Sequence, residues 1–283
     1  LQVFKSEYLG GGQVAIPGVT TDATHAALIA HAEAYHRLAL LDPPLASDKQ
    51  DVLDIRALYG TWHGALYWPW VLMLDFEGAG LRKFYPPSCF AAGACAVADR
   101  TVGTHKAPAG VTGRIPGALD VERLSNGQSQ TDENTREVLN GKDINVITPL
   151  PEQGVRIYGA RVLTADRRVT FVHQIRLLNL FYYSFKIAYA YAVFSVIDSK
   201  LFRELRSIGE GFLRNFWRAG ALFGEEEEDA FLVVCDESNN PSEEIDAGRV
   251  HVQVGVKISS TAETIIINID NVPLAQELSV LQQ

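Results

Sequence analysis

The chain has 283 residues, 47% hydrophobic and 10% aromatic, with a net charge of -9. That is enough apolar material for one large or two ordinary packed domains, so wholesale disorder is excluded. The acidic balance argues against a generic nucleic-acid binder, which carries a basic surface, and against adhesion to an anionic membrane. Three cysteines, Cys89, Cys95 and Cys235, are too few and too odd in number for a disulfide framework, so synthesis in a reducing cytoplasm is expected.

The opening LQVFKSEYLGGG lacks a Met and the signal-peptide pattern, and reads as the trimmed start of a longer chain. Gln13–Val19 reads as a short buried strand. TTDATHAALIAHAEAYH follows as a helix capped by Asp22 or a neighbouring Thr, with Ala27, Leu28, Ala32 and Tyr35 at helical spacing. RLALLDPP is a second strand, stopped by Pro43 and Pro44. SDKQDVLDIRALYG is a second helix, capped by Ser47 or Asp48 and terminated by Gly60. GALYWPWVLMLD is a third strand with a bulge or an edge at Pro69. PPSCFAAGACAVADRTVG is a small-residue helix, with prolines before it and Gly103 after it. Strands alternating with helices imply an α/β unit of βαβ connections.

From Thr104 the texture changes to a Gly/Pro/Ser-rich loop, which places a domain boundary between residues 103 and 104. TDENTREVLNG reads as a helix capped by Thr131. INVITPL and GVRIYGARVL are two strands joined through PEQG. A helical stretch covers about Val172 to Tyr191. The most apolar run, Leu177–Ile197, is interrupted by Lys186 and falls short of the ~20 uncharged residues of a membrane span, so a buried helix and strand is expected there. DSKLFRELRSIGEGFLRNFWRAGALFG is the clearest helix. The acidic run Glu225–Asp229, a strand AFLVVCD and two terminal strands complete the chain.

Motifs for chemistry are absent: no GxGxxG, GxxxxGK[ST], GxSxG or HExxH occurs. Gly10–Gly12 has no helix directly after it, so a phosphate cradle is a weak reading beside a flexible end. Cys89 and Cys95 match no zinc spacing and read as buried small hydrophobes on their helix. His31 and His36 do not share a helical face, and His63, His105 and His173 read as structural histidines. No enzymatic activity, cofactor or metal is expected. The competing reading is an α/β enzyme with its site at the carboxyl ends of the strands, near Pro17–Thr21 and Asp42–Pro44.

Two features stand out instead. On the helix from residue 199, Leu201, Leu205, Ile208, Phe212 and Phe216 share one face, and Arg203, Arg206, Arg214 and Arg218 the opposite one. Lys200–Arg218 holds five basic and two acidic residues, +3 within a chain of -9. Such a stripe is an ordinary solvated surface or a dock for an acidic partner, where planar guanidinium forks pair with carboxylates. The second feature is RVHVQVGVKISSTAETIIINID. Val250, Val252, Val254, Val256 and Ile258 alternate with polar residues, as a half-buried strand does. Ile265, Ile266, Ile267 and Ile269 do not alternate, so that strand needs apolar cover on both faces. Left as an open edge it would invite aggregation.

The blocks HKAPAG (105–110), GKDINVI (141–147), GVRIYGARVL (154–163), FLRNFWRAGALFG (212–224), FLVVCDESNNP (231–241) and IDAGRVHVQVGVKISSTAETIIINI (245–269) resemble, in order, contractile tail sheath proteins of phages and of R-type pyocin-like injection systems. VAIPGVT…ALIAHAEAYHRLALLDPP and ALYWPWVLMLD…PPSCFAAGACAVADRTVGTHKAPAG resemble the preceding α/β domain of that family, so the likeness covers about residues 13 to 270.

The resemblance implies an N-terminal α/β sheath domain, residues 1–103. A C-terminal mixed α/β domain, 104–283, would follow, with a sheet that accepts strands from neighbouring subunits. It implies a structural subunit that stacks in hexameric rings around an inner tube and contracts to drive the tube through a cell envelope. A tube-facing helix is expected over 199–223, making contact through Lys200, Arg203, Arg206, Arg214 and Arg218. An arm over 259–283 is expected to carry a subunit-linking strand, Thr264, Ile265, Ile266, Ile267, Asn268 and Ile269. Implied partners are identical subunits, the tube protein, and baseplate and terminator proteins, with no nucleic acid and no embedding in a membrane. The expected location is a virion tail or an extracellular injection particle. A relative of baseplate or tail-terminator type, sharing the fold without polymerising, is the other structural alternative.

Overall fold

A computed structural model of the chain describes residues 2–5, 10–75, 80–166, 168–261 and 263. Its first half is built on β1 (Gly12–Ala15), α1 (Asp22–Ala34), β2 (Arg37–Leu41), α2 (Lys49–Ala57) and β3 (Gly64–Trp68). Each helix start has a local cause. The Thr21 side chain caps α1, and Asp48 with Asp51 closes a reciprocal capping box on α2. Helix α2 ends at Ala57, three residues before the expected stop at Gly60.

The stretch expected as one third strand is two. β3 ends at Trp68, and after the cis Trp68–Pro69 peptide, β4 (Val71–Leu74) leaves for another sheet. That sheet has the order β5 (Arg82–Tyr85), β4, β6 (Asp120–Val121), all antiparallel. Proline cannot donate to a ladder, so the break falls where one bond would be missing. Helix α3 (Pro87–Thr101) starts at a proline with no cap of its own side chain. Its free Ser88 N–H donates instead to Asp42 Oδ1, 2.6 Å away at the end of β2.

Helix α4 (Glu133–Asn140) is capped by Asp132, not by Thr131: Asp132 Oδ2 accepts from Thr135 N at 3.2 Å. The Thr131 hydroxyl instead accepts from Thr148 Oγ1 at 3.0 Å inside the body. The hairpin of β7 (Ile144–Leu150) and β8 (Gly154–Ile157) then closes the main sheet in the order β1-β2-β3-β7-β8. The first four strands are parallel and β8 is antiparallel. The sheet therefore crosses the boundary expected between residues 103 and 104.

Both faces of this sheet are covered, as a parallel sheet requires. Leu38, Leu40, Ala65 and Tyr67 point into one core with Ala91 and Ala94 of α3. The residues between them, Ala39, Leu41, Leu66 and Trp68, point into the other with Leu28, Ile29 and Ala32 of α1. The period of two seen in these runs is the pleat itself.

Helix α5 (Val172–Ala188) joins two regions. Its first turns give Val172 and Ile175 to the core under α3. Leu177 and Phe181 enter a third core with Leu213 of α6 (Ser199–Arg218), Phe231 and Val233. After the short α7 (Glu227–Ala230), β9 (Phe231–Val234) pairs antiparallel with β10 (Gln253–Val256), with α8 (Ser242–Asp246) between them. The buried strand expected near Ile197 is not there: Ala190–Ala192 is a 3-10 turn, and Val193, Phe194 and Val196 are exposed. Phe194 has φ +70, which no strand accommodates.

Candidate functional site

Helix α6 begins at Asp198, whose side chain accepts from Leu201 N at 2.8 Å. It ends at Arg218, and the residues expected to continue it to 223 do not. Gly220 takes φ +76, the left-handed conformation that closes helices, and Leu222 then bridges to Ile258. The buried row is Leu201, Leu205, Gly209 and Leu213, with Phe202 beside it. This is the i, i+4 ridge rather than the full expected face. Ile208 sits at its margin, 37% exposed, and Phe212 and Phe216 are half-buried around Phe181. Gly209 permits the close approach: a Cβ there would meet the Tyr189 hydroxyl at 2.7 Å and Val233 Cγ1 at 3.1 Å.

The five basic side chains lie on the outer side but in unequal states. Arg214 forks onto Glu227 with two bonds of 2.6 Å. That hydrogen bonding holds the Glu227 carboxyl below its ordinary range. Arg206 pairs with Glu210 at 2.8 Å, and Lys200 reaches Glu204 at 3.8 Å. Arg203 and Arg218 have no carboxylate within ion-pair distance among the described residues, and both are exposed. The acidic run is thus partly the partner of Arg214, and the unspent positive charge of α6 is concentrated at its two ends.

The sheet below α6 is small. Val250 to Ile258 alternates in burial as its sequence alternates, half-buried then exposed, although only Gln253–Val256 is regular strand. Among the described residues the sheet holds two strands, so β9 and β10 each keep an outer edge without a partner strand. Leu232 on β9 is exposed. An apolar groove of about 510 Å³ lies between α6 and the chain before β10, lined by Tyr189, Phe194, Leu201, Leu205, Val250 and Val252. The sequence reading missed this groove because it took Val193–Val196 for buried chain. Thr264, Ile265, Ile266, Ile267, Asn268 and Ile269 lie outside the described residues.

At the strand ends where an enzyme site was the alternative, Asp42 accepts from Gly18 N at 3.0 Å and from both the N–H and the hydroxyl of Ser88. Burial pushes its carboxyl up, and those bonds oppose the shift. All of these bonds tie β2 to α3 and to the loop after β1, which is a structural use. Cys95 is buried and its thiol is pushed up to about 11, whereas Cys89 is exposed, against the expectation of two buried thiols. Among the described residues no group of three or more His, Cys, Asp or Glu side chains is placed to hold a metal.

Comparison with known proteins supplies the rest. The family model for the phage tail sheath protein central domain matches residues 13–163. The chain is 26% identical over 226 residues to the putative prophage major tail sheath protein of Pseudomonas aeruginosa (strain UCBPP-PA14), covering 78% of this chain and 54% of that protein. It is 29% identical over 195 residues to the tail sheath protein of Vibrio phage KVP40, covering 66% and 26%. The chain therefore spans about half the length of the first relative and about a quarter of the second. Among solved structures it is similar to the contracted PVC sheath complex of an extracellular contractile injection system, with TM-score 0.76, 27% identity, and 93% and 72% of the two chains covered. It is similar also to a chain of the contracted baseplate of the anti-feeding prophage, with TM-score 0.75, 25% identity, and 92% and 72% covered.

Proposed function

The chain belongs to the phage tail sheath family, and we propose that it is a structural subunit of a contractile sheath. Copies polymerise around an inner tube, and contraction drives the tube through a target envelope. The particle is a phage tail or an extracellular injection system.

The observation that carries this reading is the two-stranded sheet of β9 and β10. Two strands alone are marginal, and these are steadied by packing on α6 while their outer edges stay without a partner strand among the described residues. Strands added from neighbouring copies would complete it through main-chain hydrogen bonds. In this reading Thr264–Ile269 supplies such a strand, and two-sided cover in a neighbour's sheet explains why its isoleucines do not alternate. The outward arginines of α6, Arg203 and Arg218 above all, face the tube and set register and encounter rate more than raw affinity. Baseplate and terminator proteins would meet the ends of the cylinder.

Electron microscopy of the full-length protein tests the class. Long cylinders or polysheaths are expected, and a protein that stays monomeric at high concentration overturns it. Ile266→Lys places a charge in the proposed linking strand and is expected to abolish cylinders while the monomer stays folded. Normal cylinders from that variant sink the strand-addition part. The likeness to a baseplate chain favours one second reading, a ring-forming relative. Closed rings that never stack in the same micrographs would identify it.

A further inference from the structure

The chain that leaves the small sheet does not stay with it. Ser259 N donates to Ala221 O at 3.1 Å, so Ser259 still belongs to the C-terminal region. Its carbonyl lies 3.0 Å from His173 Nε2, at the start of α5, and Thr261 Oγ1 lies 3.5 Å from His173 Nδ1. Glu263 then reaches Arg161, on the main body beyond β8. The contact is a fork: Arg161 Nε lies 2.9 Å and Nη2 2.6 Å from Glu263 Oε2, and Nε lies 3.1 Å from Oε1.

Arg161 is held by groups other than Glu263 as well. Asn145, fully buried on β7, accepts from Arg161 N at 2.6 Å and donates to Arg161 O at 2.8 Å. The Arg161 guanidinium lies 5.8 Å over the Phe171 ring. Asp143 is 3.6 Å from Arg161 Nη1 and is itself fixed by Arg56 at 2.7 Å. The Arg161 and Glu263 side chains are 19% and 24% exposed, so the pair is only partly screened by solvent.

We propose that the Arg161–Glu263 fork, together with the contacts of His173 to Ser259 and Thr261, is a latch that fastens the chain from Ser259 to Glu263 onto the subunit's own main body. While it is closed, the described chain is anchored to the main body as far as Glu263. When it opens, that anchor retreats to Ser259, which frees four residues, or up to about 14 Å of extended chain. This second part rests on the sheath reading: a link between copies gains reach when subunits move against one another, without either end letting go.

Hydrogen exchange on the full chain as a monomer tests the latch without any sheath. Glu263→Gln keeps size and leaves Asp143, Arg56 and Asn145 untouched, so the body is expected to fold. Exchange of the amides of Ser260, Thr261 and Glu263 should quicken by roughly tenfold, while Ser259, β7 and α5 exchange as before. Arg161→Lys keeps the charge but loses the fork, and should quicken them less. Raising salt should speed the parent protein and change Glu263→Gln little. Unchanged exchange at those three amides in Glu263→Gln overturns the latch. In assembled particles, their protection should fall on contraction. Equal protection in both states overturns its role in contraction, whereas failure to form particles counts against the sheath reading and leaves the monomer result standing.

Discussion

The main body and the C-terminal region solve the same problem differently. In the main body every residue of β2 and β3 is buried, because helices cover both faces of the sheet. In the C-terminal region β10 has no fully buried residue, and among the described residues its sheet has two strands. The first is a self-sufficient core. The second has an apolar face on α6 and unused backbone edges, so it is stable by attachment and is available for pairing. The two regions differ in how much of their backbone hydrogen bonding is already spent among the described residues.

Truncation of one core-facing apolar side chain in each region should separate them most. Leu66→Ala in β3 leaves a cavity between two covered faces and is expected to cost about 2–5 kcal/mol. Val254→Ala in β10 is expected to cost about 1 kcal/mol or less, since its side chain is half in water already. Denaturant titration of both variants checks the contrast, and equal losses would break it.

Asn145→Ala should come next. Its side-chain amide serves Leu66 O, Arg161 N and Arg161 O, at 3.1, 2.6 and 2.8 Å. Removing it orphans buried backbone groups at a cost of about 1–3 kcal/mol. The same titration reads the loss, and a change within error would show that water fills the gap.

Acid should weaken the main body before the C-terminal region. Burial holds His25 and His173 below the ordinary 6.5. Such groups bind fewer protons folded than unfolded. Stability therefore falls as pH drops through 6.5 towards their lowered values, by at most about 1.4 kcal/mol per histidine per pH unit. The C-terminal carboxylates are shifted the other way: Arg214 lowers Glu227, and Arg249 with His251 brings Glu244 to about 2. What those pairs contribute is present above the ordinary carboxylate pKa and is lost only in stronger acid. Asp42 and Glu122, raised by burial, oppose the histidines only at lower pH. Urea midpoints at about pH 7.5 and about pH 6 should differ in this direction, and a midpoint that rises on acidification breaks the assignment.

The smallest effect on the monomer should come from Arg203→Glu with Arg218→Glu, within about 0.5 kcal/mol, because neither side chain is in an ion pair among the described residues. The expected consequence is loss of co-sedimentation with the tube protein. Arg214→Glu is a poorer probe, since it also breaks the fork on Glu227.

Much of the site was legible in the residues. Capping patterns, the α6 amphipathicity and the alternation from Val250 to Ile258 are local periodicities, and a single helix or strand expresses them without help from its neighbours. Long-range partners were not legible. Asn145 and Thr148 within INVITPL are polar residues in an apolar strand, a cue to buried hydrogen bonding that the sequence reading did not take. Nothing near Arg161 announces Glu263, 102 residues away.

The sequence alone determined that strands alternate with helices, that α6 carries a basic stripe, and which side of the last described strand faces apolar surroundings. Each follows from the fixed periods of the pleat and the helix turn. Only the tertiary structure decided that β7 and β8 join the first sheet, that GALYWPWVLMLD divides between two sheets, and that three of the five basic side chains on α6 are already paired. It also decided where the C-terminal segment is fastened. These depend on which distant segments meet, and that is set by packing across the whole body rather than by any residue's own neighbours.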